Sequence, residues 1–287
     1  MNYYTTYNPF IRIKMEQTID IIRENLKGFE LQLFDAAINN LKDDTNILSA
    51  NNFAFSIREL IRNMLERLAP DNEVTDAPWY KPEKNQNGEV VITRRQRIKY
   101  AVQKWFLDDF AKDKLHIALD DYFKDFSKNF AELNKYTHIT ENTFNIAPCD
   151  KTMLSLRILG NLLWFINMVN DAQSEIINRT IDLVDKELSK AFLANHLGTI
   201  ALTYGSENNI RFLIHDFSIS KNSNEILYVK ATGYIYVVDP LNDDSYEYKE
   251  KKPFVSELEV NYKNKEGVVK IEKGNINIDS GETIELS

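Results

Sequence analysis

A chain of 287 residues, 43% hydrophobic and 27% charged, is long enough for two domains and apolar enough to bury a core, which excludes disorder of the whole chain. The formal charge of −8 divides unevenly, about −5 from Glu207 onward (15 acidic, 10 basic) and about −3 before it; this argues against a general nucleic-acid coat but leaves room for a local basic patch. The single cysteine, Cys149, excludes an internal disulfide framework and a thiolate zinc cluster, and is read as structural.

Met1 to Phe10 is polar and tyrosine-rich, with no apolar signal-peptide core. Lys14 to Lys42 predicts one helix, because Met15, Ile19, Ile22, Leu26, Phe29 and Leu33 recur at helical spacing, with Gly28 as a weak interruption. A second helix is expected over Phe53 to Leu68, starting earlier if the Ser56/Glu59 capping-box spacing is not its first turn, and Ala69-Pro70-Asp71 stops it. Asp71 to Val91 reads as a long polar loop. Thr93 to Lys104 resumes as a helix carrying Arg94, Arg95, Arg97, Lys99 and Lys104 and no acidic residue. Asp113 to Leu133 predicts an amphipathic helix, followed by the polar segment Asn134 to Thr140. Asp150 is the expected N-cap of a long apolar helix to about Val169, and Ser174 to Thr203 is helical in character too. The longest apolar stretch, Ile158 to Val169, is broken by Gly160, Asn161 and Asn167 and is too short to span a bilayer, so a cytoplasmic protein without membrane contact is expected.

The period then changes. Glu225 to Asp239 is rich in Ile, Tyr and Val, and Val255 to Tyr262 alternates, with Leu258, Val260 and Tyr262 on one face. Val268 to Ile271 and Asn275 to Ile278 predict further short strands, with turns at Asn242-Asp243, Asn264 to Gly267 and Ser280-Gly281. The expected fold class is α+β: an all-α bundle over 1–205, then an antiparallel β-sheet or sandwich over 206–287.

Standard nucleotide-loop, hydrolase-elbow and zinc-protease motifs are absent from the sequence. Of the four scattered histidines, His138 alone has a distinctive setting: it follows a helix, with Asn134, Lys135, Tyr136 and Thr137 before it. An imidazole there suits proton transfer in phosphodiester cleavage, and a neighbouring cation suits the charge that develops on phosphate. The plainer reading is a histidine tying a helix end to the next loop. The basic helix, through Arg94, Arg95, Arg97 and Lys99, suits phosphate contacts; its plainer reading is a solvated face. Arg58 and Arg62, one turn apart, read as surface pairing or as support for a site. The acidic pairs Asp108-Asp109 and Asp120-Asp121 offer Mg²⁺ ligands, but adjacent helical residues point about 100° apart, which favours helix surface. Trp79, Tyr80, Tyr234 and Tyr236 suit base stacking, and loop and sheet packing equally.

Two stretches carry a resemblance. Ser56-Ile-Arg-Glu-Leu-Ile-Arg62, Leu65 to Asp71, Trp79 to Glu83 and Thr93 to Arg97 with Lys99-Tyr100 form one ordered set; Leu133 to His138 with Thr143 to Ile146 forms the other. Over Phe53 to Ile146 the chain resembles the predicted nucleases associated with prokaryotic PIWI-type conflict systems. The helical layout with a histidine after a helix also resembles HEPN domains. That likeness implies a metal-independent endoribonuclease without cofactor, active as a homodimer. The expected partners are RNA or another nucleic acid and a protein of the same defence system. In HEPN domains four to six residues separate an arginine from the histidine that follows it. Here the corresponding region, Ala131 to Leu133, has no arginine, and Lys135 is the nearest cation. Arg58 or Arg95 is then required to supply the charge through space. The resemblance thus implies His138 as acid/base or phosphate-orienting residue, with Lys135, Arg58 and Arg95 on phosphate and Asn134 in support. The alternatives are a catalytically silent HEPN-like interaction module and a metal-dependent nuclease using the acidic pairs.

Overall fold

The structure is a computed structural model that describes residues 9–113, 116, 119–204, 210–221, 226–238, 248–261, 270–278 and 283–286. The helices and the two-stranded hairpin come first, and an antiparallel sheet closes the chain, as the α+β expectation requires. By contacts the chain divides into two compact units: Met1–Trp105 with Ile117–Gln173, and Phe106–His116 with Ser174–Ser287.

In the first unit the helix expected over Lys14 to Lys42 is two helices, α1 (Pro9–Glu24) and α2 (Phe29–Lys42). Gly28 lies between them at φ 55°, a left-handed value that favours glycine and breaks the helical register. The break changes which side chains face inward. Ile19, Ile22 and Leu26 are buried as their spacing predicts, but Phe29 turns to solvent, and Glu30, Phe34, Ala37, Ile38 and Leu41 take the inner face of α2.

Glu30 is a carboxylate in the core, and α3 (Ser49–Leu68) satisfies it. Arg67, in the last turn of α3, donates from Nε to Glu30 Oε1 at 2.6 Å and from Nη2 to Oε2 at 3.1 Å. Arg67→Ala leaves this carboxylate buried and unpaired. The expected loss is about 2 kcal/mol, below the largest values for buried pairs because the guanidinium itself is half exposed. A lowered thermal melting temperature of the full chain checks it, with Arg62→Ala as the exposed control.

Of the apolar stripe that helical spacing predicts for α3, Ile57, Leu60, Ile61, Met64 and Leu65 are buried and Leu68, in the last turn, is half-buried; the helix packs against α2, α5 and α7. The segment expected to be loop contains a short helix, α4 (Asp71–Thr75), and a hairpin of β1 (Glu83–Lys84) and β2 (Val90–Val91). α5 (Arg94–Gln103) follows, then α6 (Asp108–Asp113) in the second unit. α7 (Leu119–Thr137) runs one turn beyond the expected end at Leu133. Asn134 and Lys135 are therefore helical, not part of a loop. The terminal carbonyls that a helix leaves open find side-chain donors here: Asn51 Nδ2 reaches the Tyr136 carbonyl at 2.9 Å, and Thr137 Oγ1 the Asn134 carbonyl at 3.0 Å.

α8 (Pro148–Tyr204) joins the two expected C-terminal helices into one of 57 residues, with Asp150 in its first turn. Its stretch Pro148–Lys190 has the length and composition to cross a membrane, yet Leu154, Ile158, Leu162, Phe165 and Val169 lie in the core of the first unit, as they do in a core helix. Phe165 meets Phe126 of α7 edge to face at 5.4 Å.

In the second unit β3 (Ile210–Lys221), β4 (Ile226–Val238), β5 (Tyr248–Asn261), β6 (Lys270–Ile278) and β7 (Thr283–Leu286) form an antiparallel meander in chain order. Leu227, Val229, Ala231, Phe254, Leu258 and Val260 are among the side chains of the buried face. The two short strands expected around Gly274 are one, because pairing with β5 continues through Leu258↔Gly274. β3 shows no clean alternation in sequence because its register shifts between Ile214 and Asp216. The three expected turns, and Tyr262, lie outside the described residues.

Candidate functional site

α5 is aimed by its first turn. Thr93 caps it: Thr93 Oγ1 accepts from the Gln96 amide, and Gln96 Oε1 accepts from the Thr93 amide at 2.8 Å. Gln96 Nε2 also donates to the Lys81 carbonyl at 2.7 Å, tying the helix to the hairpin side. So held, the arginines of the first turn lie along α7. The Arg95 guanidinium carbon is 4.5 Å from the Phe123 ring centroid and that of Arg94 is 3.8 Å from Phe130. α3 adds a third: Arg58 Nη1 donates to Thr137 Oγ1 at 3.2 Å.

Phe123, Phe130 and Thr137 are seven residues apart, hence on one face of α7 at intervals of about 10 Å. Three arginines from two helices thus mark one line along α7. They differ in their partners. Arg95 pairs with Asp120 at 3.8 Å, both side chains well exposed, which is worth little. Arg58 and Arg94 form no ion pair with a carboxylate among the described residues, unlike Arg23, Arg62, Arg67, Arg97 and Arg179. Partial burial, and then the Arg58 charge, push the Arg94 guanidinium below its usual pKa. Like charges on one helix face without a described counter-charge are a setting that suits an anion.

His138 is the first residue past α7, directly after the Thr137 that Arg58 holds. Its imidazole is exposed. Its backbone is fixed by Thr143, whose buried hydroxyl donates to the His138 carbonyl at 3.1 Å and accepts from the Thr140 amide at 2.9 Å. Lys135 is exposed on the last turn, its Nζ 5.5 Å from the Tyr136 ring centroid. Asn134 is half-buried there.

The structure therefore brings Arg58, Asn134, Lys135 and His138 to the C-terminal end of α7, with Arg94 over Phe130 two turns before it. Arg95 is not with them: its partner Asp120 is 17 residues before Thr137, about 25 Å along the helix. Arg97 is occupied differently, donating to the Ala69 carbonyl at 2.7 Å and to Asp71 at 2.6 Å, which locks the end of α3 to α5. Lys99 covers the Trp79 ring at 4.6 Å, and the Trp79 indole donates to the Lys104 carbonyl at 2.8 Å. Trp79 and Tyr80 pack on the small cluster of Ala69, Val74, Ala77 and Tyr100. Burial pushes the Lys104 ammonium below its usual pKa, with Glu73 acting against it. Arg62 serves the α3 surface, pairing with Glu59 and Glu66. For the metal-dependent alternative, no group of three or more metal-binding side chains is gathered among the described residues.

Asn51 and Thr137 carry no sequence signal for their roles, since each acts across 79 or 85 positions of chain. Their one local hint is position: Asn51, Arg58 and Arg62 recur on one face of α3.

Residues 23–155 match the family described as Predicted pPIWI-associating nuclease, a span that contains the whole of the resemblance from Phe53 to Ile146 and all of these site residues. No curated protein and no solved structure matches the chain.

Proposed function

We propose, on the premise that residues 23–155 are similar to predicted pPIWI-associating nucleases, that this chain is an endoribonuclease of a prokaryotic defence system. It holds the scissile phosphodiester at the C-terminal end of α7. The observation that supports this reading is the placement of Arg58 and Arg94: two guanidinium groups from different helices on one face of α7, over its last two turns, with no carboxylate partner among the described residues and an exposed histidine just beyond. The arginine that HEPN domains place just before their histidine in sequence comes, in this reading, from α3 through space.

The chemistry then needs no metal. The His138 imidazole takes the proton of the 2′-hydroxyl as that oxygen attacks the neighbouring phosphorus. The O2′–P bond forms and the P–O5′ bond breaks. The protonated imidazole or a water molecule returns a proton to the leaving oxygen. Arg58 and Arg94 offset the charge growing on the non-bridging oxygens, aided by Lys135, while Asn134 supports the turn. Arg95, farther along α7, meets the strand away from the cut. Arg97 and Lys99 keep α5 in place for these contacts. A second copy of the chain and a partner protein docked on the sheet of the second unit complete the assembly, in the cytoplasm.

The test is cleavage and binding of a labelled RNA in EDTA. The Arg58→Ala/Arg94→Ala double variant is expected to bind RNA at least about tenfold more weakly, and its binding should depend less on salt. Wild-type affinity in the double variant removes the phosphate site. RNA binding without cleavage by the wild type, under varied metals, leaves the silent interaction module in its place.

A further inference from the structure

Apolar rings left in water near a charged site ask for a ligand with an apolar face. The exposed phenylalanines among the described residues are Phe29, Phe55 and Phe144, at 60%, 54% and 46% exposure. Single exposed apolar residues are ordinary on a protein surface. Two of these three, however, are sequence neighbours of residues that fasten the α7 terminus. Phe55 precedes Arg58 by three positions on α3 and follows Asn51 by four, so it lies close to their side of the helix, on its solvent edge. Phe144 directly follows Thr143, the residue whose hydroxyl holds the His138 carbonyl. Asn51 and Arg58 fasten the helix of Phe55 to the α7 terminus, and Thr143 fastens the turn that carries Phe144.

We infer that Phe55 and Phe144 are stacking platforms for the bases that flank the bound phosphate, so the site takes single-stranded nucleic acid. This rests on the phosphate reading of Arg58 and Arg94 above. Each ring offers a flat apolar surface of the kind on which an unstacked base lies, and the adjacent guanidinium groups hold the backbone that carries it. In a duplex the bases are stacked on one another and are not free to leave. A duplex meets the arginines but not the rings.

The experiment compares three ligands of equal length on the full chain: a single-stranded RNA, its duplex, and a strand of abasic spacers that keeps the phosphates and lacks the bases. The wild type is expected to prefer the single strand over both others. Phe55→Ala and Phe144→Ala should each weaken single-strand binding about tenfold and leave abasic binding unchanged, whereas Phe55→Trp should retain it. Both rings are surface groups, and an unaltered melting temperature shows that each variant folds. Equal affinity of the Phe55→Ala/Phe144→Ala double variant and the wild type for the single strand overturns the stacking inference. Equal affinity of the Arg58→Ala/Arg94→Ala variant and the wild type for all three ligands overturns the phosphate reading beneath it. A wild type that binds none of the three ligands overturns both.

Discussion

His138→Ala is expected to slow RNA cleavage by about two to four orders of magnitude, the usual contribution of a positioned proton-transfer group, with little change in RNA affinity. The split between rate and binding follows from where the residue sits. Its imidazole is exposed at the end of α7, and the backbone there is fixed by contacts the side chain does not make: Asn51 on the Tyr136 carbonyl, and Thr143 on the His138 carbonyl. Removing the ring leaves those bonds in place, so the melting temperature should hold. Arg58 and Arg94 remain to grip the phosphate. A DNA strand of the same sequence lacks the 2′-hydroxyl and should bind without being cut. Cleavage of RNA by the alanine variant at the wild-type rate sinks the catalytic assignment. If both proteins instead cut only with Mg²⁺ or Mn²⁺ present, a metal-dependent route replaces the proposed one.

Gly233→Ala is expected to destabilise the second unit by at least about 3 kcal/mol, the upper range for forcing atoms into a filled space. Gly233 lies inside β4, which is paired on both sides, opposite Ile214 of β3 and Phe254 of β5. A Cβ on this residue points into the backbone of β3. It meets the Leu213 carbonyl oxygen well inside contact distance, the Leu213 carbonyl carbon at 2.9 Å and Ile214 Cα at 3.0 Å. These are main-chain atoms of a paired strand and cannot turn aside as a flexible side chain does. The register shift of β3 between Ile214 and Asp216 begins at this contact, so the glycine and the bulge belong to one arrangement. Chemical denaturation followed by near-ultraviolet signal from the sheet tyrosines, with Thr232→Ala as the half-exposed neighbour, measures the effect. A Gly233→Ala variant as stable as the wild type shows that β3 yields at little cost.

How much of this was legible in the chain depends on the range of the interaction. Most of the α3 stripe, the helix that begins near Thr93 and the alternation of β5 are legible, because each follows from neighbours within a turn or a pleat. The change from helix to sheet was legible for the same reason. Errors fell where one residue alters the period. Gly28 splits α1 from α2 and turns Phe29 outward, and the bulge in β3 masks its alternation. Local spacing ends α7 at Leu133, and not at Thr137, because the donor that supports its last turn is Asn51, 85 positions from Tyr136.

For the site, the sequence by itself named the side chains with suitable chemistry, since composition and local order suffice to mark a basic helix and a histidine after a helix. It did not sort them. Packing decided that Arg58 meets Thr137, that Arg94 lies over Phe130, that Arg95 serves the far end of α7, and that Arg97 is tied to Asp71. A guanidinium group spans several ångströms and can serve a surface pair, a helix joint or a phosphate with equal ease. Only the positions of other helices, set by burial of their apolar faces, determine which carboxylates are within its reach.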